Sequence, residues 1–154
     1  MDINIAPVTC ADVALLHQAL TRLSVDLGDT HIASLSALEA AGFGASPSWR
    51  ALLAQAAGTP VGALLASPLF STTRGGLGLF VSDLWVDAGQ RGQGLGQRLL
   101  ACALREWSPV FVKLAVYDGN DAAHAFYARA GFVAQDDTNM ILHGAALDRL
   151  KGLR

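Results

Sequence analysis

Hydrophobic and polar positions first alternate at the start of the chain, where Ile3 and Ile5 flank Asn4 as a short half-buried strand. Thr9 stands three residues before Asp12, the spacing of a capping box. It predicts a helix whose apolar stripe is Val13, Leu16, Leu20 and Leu23, stopped at Gly28. A shorter helix is expected over 34–44, ending at Gly42 with Leu35, Leu38 and Phe43 inward. Residues 49–55 and 61–66 read as strands joined in a hairpin by Ala57-Gly58-Thr59-Pro60. The Ser-, Thr-, Gly- and Pro-rich stretch 67–76 reads as a loop, and 77–87 is the most strand-like run. After a cluster of glycines a helix extends to about Trp107, with Leu95, Leu99, Ala103 and Leu104 on one face, and Pro109 breaks it. A strand over 110–117, a helix over 121–130 stopped by Gly131, strands over 132–134 and 139–143, and an amphipathic tail over 145–150 complete the pattern. The order is that of a mixed α/β chain, and its strand-helix-strand unit should hold its two strands parallel.

The length of 154 residues suits one domain with one core, and 52% apolar residues can fill it. A formal charge of −2 gives no ground for a nucleic-acid or membrane partner, so any phosphate site must be made locally. Cys10 and Cys102 are not in metal-ligand spacing, and both are expected as buried thiols in a reducing compartment. Residues 1–5 have neither a basic nor an apolar leader pattern, and no apolar run is long enough to span a membrane. A cytoplasmic chain without a metal is expected.

The densest chemical signal is Arg91-Gly92-Gln93-Gly94-Leu95-Gly96, between a strand and the first turn of a helix. Glycines there permit close backbone approach, and the exposed N–H groups of the helix start favour an anion such as a pyrophosphate. A P-loop would need Gly-Lys-Ser/Thr, but Leu95 follows Gly94. A dinucleotide fingerprint fails at Gln97-Arg98-Leu99.

Leu84-Trp85-Val86, the glycine loop and Leu99-Leu100 together resemble the acetyl-CoA motif of Gcn5-related N-acetyltransferases (GNAT). Val116, Asn120, Ala123, Phe126-Tyr127 and Gly131-Phe132 resemble that superfamily's second cofactor motif. The resemblance spans 77–132 and implies one GNAT domain over 1–154. Its fold would be a central mixed, twisted sheet, splayed at the acetyl-CoA strand, with helices on both faces. It implies that main-chain N–H groups from Gly92 through Gln93, Gly94, Leu95 and Gly96 to Gln97 hold the cofactor pyrophosphate. Arg91 opens that loop, while Leu84, Trp85 and Val86 pair with the pantetheine arm through a splayed, bulged edge. Asn120, with Ala123 beside it, caps a helix, and the resemblance implies a hold on the pantetheine arm that can coexist with the cap. Tyr127 either packs beside Phe126 or serves the leaving thiolate.

Asp83 fits poorly inside a strand and is expected to share a face with Val81 and Trp85. It either pairs with Arg50 or Arg74 or acts catalytically, as a negative wall or base for a cationic amine. Glu39 to Gly44 with Pro47, Ser82 to Val86, and Met140-Ile141-Leu142 with Leu147 and Leu150 resemble the diamine/polyamine acetyltransferase branch. That branch has Glu-Asp in the strand; here Ser82 takes the first position. His17 and His124 are expected as solvated or packed residues, and His31 as a lining residue of the amine pocket outside the catalytic set. The apolar tail over 140–150 is expected to meet a second copy as a homodimer.

Overall fold

The computed structural model describes residues 2–154, and the chain divides into two compact units, 1–117 and 118–154. Among the described residues, the first unit carries five strands in one open sheet, ordered as in the chain. They are β1 (Ile3–Pro7), β2 (Arg50–Ala56), β3 (Thr59–Ser71), β4 (Gly76–Val86) and β5 (Val112–Leu114). The first four pair antiparallel; β5 runs parallel to β4, as the strand-helix-strand unit requires. Its helices are α1 (Val13–Leu27), α2 (Leu35–Phe43) and α3 (Leu95–Trp107).

Strand alternation sorts the core into two layers. On one face Val13, Leu16, Ala19 and Leu20 of α1, with Leu38 of α2, cluster with Trp49, Ala51, Leu53, Ala63, Leu65 and Trp85. On the other, a Cβ at Gly62 would stand 3.1 Å from Leu99 and 3.3 Å from Leu95, so α3 packs close to the sheet there. Helices therefore cover both faces. Asp12 accepts from the Thr9 N–H at 2.9 Å ahead of α1, and Gly28 closes the helix at φ +74. The β2–β3 hairpin turns through Ala57 and Gly58, both at positive φ.

Several expectations need correction. The stretch 67–71 is strand, not loop: β3 continues to Ser71 and pairs from Ser67–Phe80 to Ser71–Gly76, leaving a tight turn at 72–75. Pro68 misleads there because β2 ends opposite Ala66, so the proline lies on an open edge where no N–H is needed. The strand expected over 110–117 shrinks to Val112–Leu114. Leu104 is exposed, while Leu100 and Cys102 join the buried face of α3; Leu35 and Phe43 are likewise partly exposed. Cys10 is exposed and donates to Glu39, so only Cys102 is a buried thiol.

The second unit holds α4 (Asp121–Arg129), with Gly131 just beyond it at φ +97, and α5 (Gly144–Lys151). The strands expected over 132–134 and 139–143 are not formed. Their residues Val133, Met140 and Ile141 are exposed, and a short apolar run becomes a strand only against a partner. The expected tail is α5.

Gly42 sits against the Trp49 ring: a Cβ there would lie 2.2 Å from the indole. That ring is 7% exposed and its Nε1 donates to the Leu38 carbonyl at 3.0 Å. Alanine in a helix gains about 1 kcal/mol over glycine, but overpacking a pinned ring costs roughly 1–3 kcal/mol. Gly42→Ala should therefore lower the urea midpoint; an unchanged or higher midpoint would show that the ring yields.

Candidate active site

Strand β4 changes its surroundings at Ser82. From Leu79 to Val81 it lies between β3 and β5; from Ser82 to Val86 only β3 accompanies it. The register shifts at the same point, with Asp83 opposite Leu65 and Val81 opposite Ala66, so Ser82 is the extra residue of a bulge. Directly opposed residues share a face, and Leu65 and Ala66 face opposite ways. The bulge thus takes Val81 off the face that Asp83 shares with Trp85, contrary to the sequence expectation. The Asp87 N–H donates to Val61 O at 2.9 Å. Two-residue alternation then turns the main chain of Trp85 toward β3, and that of Leu84 and Val86 toward the open edge.

The glycine loop follows directly. Asp87 accepts from the Gly89 N–H at 3.1 Å, and the Gln93 side chain donates to Gly89 O at 3.1 Å. Gly92 and Gly94 take φ of +74 and +79, with open space where a Cβ would stand. The α3 ladder begins with Arg98 N–H onto Gly94 O at 3.0 Å, so the N–H groups of Leu95, Gly96 and Gln97 precede it. The Leu95 side chain is buried, which leaves its main chain as the part the loop offers.

Arg91 departs from a simple ligand role. Its Nε donates to Val86 O at 2.9 Å and its guanidinium bridges to Asp26 at 2.5 Å. The same Asp26 oxygen accepts from the Trp85 indole at 3.2 Å. Arg22 stacks 5.7 Å over that indole and lies 3.8 Å from the Asp87 carboxylate. Arg22, Asp26, Trp85 and Asp87, with Thr21, Val25 and Ala88, line a cavity of about 200 Å³. Asp26 went unnoticed in the sequence because nothing local marks a partner 59 and 65 residues away.

Asp83 is half-buried, and Ser82 Oγ donates to its carboxylate at 2.9 Å. Among the described residues, neither Arg50 nor Arg74 forms an ion pair with it. Burial lifts its carboxyl above the ordinary value, while the Ser82 hydroxyl and the nearby His31 pull the other way. His31 belongs to the segment between α1 and α2, with Ser24 Oγ 3.2 Å from its Nδ1 and the His17 ring edge-on at 5.0 Å.

In the second unit, Asn120 accepts from the Ala123 N–H at 3.2 Å, so it caps α4. Tyr127 meets the rings of Phe126 and Phe132 at 5.1 and 5.4 Å, and burial raises its hydroxyl above the ordinary tyrosine value. The expected site residues thus form two groups: Asp83 to Gln97 along β4 and its loop, and Asn120, Ala123 and Tyr127 along α4. Among the described residues no His, Cys, Asp or Glu cluster is arranged to hold a metal ion. No helix among them is long and apolar enough to cross a membrane.

The model of the acetyltransferase (GNAT) family matches residues 15–132. No curated protein matches the sequence. Among solved structures, an integron cassette protein from the mobile metagenome of V. cholerae is similar with a TM-score of 0.79 and 19% identity, covering 99% of each chain. The ribosomal-protein-alanine N-acetyltransferase of Brucella melitensis biovar Abortus 2308 gives 0.74 and 19%, covering 92% of this chain and 100% of that one. An aminoglycoside N-acetyltransferase in complex with CoA gives 0.74 and 14%, covering 92% and 95%. At these identities the likeness is one of fold.

The state of Asp83 has a consequence for stability. Its folded carboxyl titrates above its unfolded value, so folding favours the protonated form. That contribution is fully present below the ordinary carboxylate range and is lost as pH rises through the folded value. Asp83→Asn should therefore gain stability relative to the parent as pH rises from acid to neutral, measured by urea denaturation across that range. A difference that stays flat or reverses would mean that the carboxylate is well solvated.

Proposed function

The chain belongs to the GNAT acetyltransferase family and is an acetyl-CoA-dependent N-acetyltransferase; we propose that it moves the acetyl group by direct attack onto the primary amine of a small cationic acceptor of the diamine or polyamine kind. The observation that carries this reading is the open edge of β4 after Ser82, with Asp83 beside it and the glycine loop at its end. Acetyl-CoA fits these features as cosubstrate. Its pyrophosphate suits the N–H groups from Gly92 to Gln97, where Gly92 and Gly94 leave open space. Its pantetheine arm suits the open edge of β4 at Leu84, with Trp85 fixed beside it and Val86 O held by Arg91.

The Leu84 N–H on that edge is the donor for the oxyanion that forms as the amine attacks. Arg91 acts through Val86 O, holding the strand end against the loop. Tyr127 serves the leaving thiolate, and a raised hydroxyl value keeps it protonated for that task. Asn120 and Ala123 combine the cap of α4 with a hold on the pantetheine arm. The two free cysteines agree with a cytoplasmic, reducing setting.

Asp83 supplies the preference for a cation. The ribosomal-protein-alanine and aminoglycoside enzymes among the structural neighbours support a second reading, in which the acceptor is larger. Thiol release from acetyl-CoA should be followed across diamines, aminoglycosides and peptides beginning with alanine. Diamines are expected to be preferred, and Asp83→Asn should raise their KM more than that of monoamines. Equal effects on both amine classes would remove the cation-recruiting role, and preference for aminoglycosides or peptides would favour the second reading.

A homodimer completes the proposal. Met140, Ile141, Leu142, Leu147 and Leu150 are all exposed in the second unit, an apolar set that a symmetric partner would cover. Sedimentation at micromolar concentration should show the dimer, and monomer throughout would refute it.

A further inference from the structure

We propose that His31 takes the proton from the acceptor's ammonium group, a role that rests on the acetyl-transfer reading above and gives it the base that Ser82 cannot supply. The argument begins with one hydroxyl. Ser24 Oγ donates back to Leu20 O at 3.2 Å along α1. A hydroxyl has a single proton, and with it on Leu20 O the same oxygen accepts from His31 Nδ1, also 3.2 Å away. In that arrangement Nδ1 carries the ring hydrogen, and Nε2 of the neutral ring is a lone pair. That Nε2 is the one buried side-chain nitrogen or oxygen without a hydrogen-bond partner among the described residues. Leaving such an atom unpaired costs roughly 1–3 kcal/mol, an arrangement more suited to a reacting group than to a packing one. A ring oriented through one nitrogen, with the other left to accept, has the geometry of a general base.

The titratable groups facing His31 are Asp83 from β4, which interacts with it electrostatically, and His17 from α1, edge-on at 5.0 Å. His17 is itself engaged, its Nε2 lying 3.0 Å from Ala33 O. Ser82 serves the carboxylate rather than the imidazole. His31 lies in the segment 29–34, which is neither helix nor strand. Nε2 itself is buried, so in this proposal an amine reaches it by displacing that irregular segment.

The division of labour resolves a conflict. A carboxylate that recruits an ammonium also keeps it protonated, and a protonated amine cannot attack. With His31 present, the ammonium gives one proton to Nε2, and the imidazolium is stabilised by Asp83. The freed nitrogen lone pair attacks the thioester carbonyl carbon. The carbon–nitrogen bond forms, the carbon–sulfur bond breaks and its electron pair leaves on sulfur. The nitrogen's surplus proton passes to that thiolate, giving the amide and free CoA thiol, while His31 returns its proton to water.

His31→Gln retains a polar side chain of similar length that cannot take a proton. On a diamine its kcat/KM should fall on the order of a hundredfold or more, and the residual rate should climb with pH along the neutral-amine fraction, without the plateau that an enzymic base gives the parent. On trifluoroethylamine, already neutral at the assay pH, the variant should keep most of the parent's rate, and calorimetric CoA binding should be unchanged. Equal losses on both amines, or no loss on either, would overturn the role. A measurement on the parent protein guards against a variant that does not fold. The ¹⁵N resonance of His31 Nε2 should shift when a non-reactive N,N-dimethylated diamine binds together with CoA, and an unmoved resonance would also overturn the role. Parent protein that released no thiol with any amine would instead defeat the acetyl-transfer reading, and this proposal with it.

Discussion

Two adjacent strands satisfy each other's main chain only while they run side by side, and β4 and β5 stop doing so at Val81. Everything proposed for the site depends on that parting. A strand that simply lost a neighbour would present an edge in its old register, with Asp83 on the same face as Val81. The extra residue at Ser82 prevents this, because it shifts the later part of β4 by one position while β3 continues alongside. One inserted residue thereby opens an edge at Leu84 and Val86, retains Trp85 in the core and sets Asp83 on the side of α1. Its hydroxyl then binds the carboxylate it helped to position.

An open edge needs an anchor, and the Asp26 carboxylate provides one. It receives both the Trp85 indole and the Arg91 guanidinium, while Arg91 also holds Val86 O. The end of α1, the end of β4 and the start of the glycine loop are thus joined through one oxygen. Both charged partners are partly exposed, so the ion pair itself adds little to stability. Its effect is geometric. The element leading toward His31 and the element leading toward the loop meet at this carboxylate.

The legible parts of the chain were those in which local chemistry and tertiary environment agree. The turn through the glycines into α3 was legible because positive φ at Gly92 and Gly94 and a helix start at Leu95 are local requirements. The splay was legible only through family resemblance, but its bulge has the physical form that resemblance implied. Errors arose where a neighbour decides the outcome. Pro68 signalled a loop and sits in a strand, because the side of β3 it faces has no partner. Met140 and Ile141 signalled a strand and remain irregular, because no strand accepts them. Asp26 and Ser24 were missed for the same reason: a carboxylate and a hydroxyl near the end of a helix look alike in a sequence, whether they face water or hold a site together.

The long hairpin of β3 and β4 has a further effect, on encounters between molecules. Beyond Ala66 it extends past β2 and carries Phe70 and Leu77 partly in water, so an apolar ribbon with a bare edge is offered to every passing chain. A ribbon of this kind ordinarily seeds intermolecular sheet. Pro68 interrupts the row of donors, so an incoming strand would have to leave one of its carbonyls unmatched. Colloidal stability of the concentrated protein therefore hangs in part on a single pyrrolidine ring, which contributes nothing to the chemistry and instead keeps one copy from templating the next.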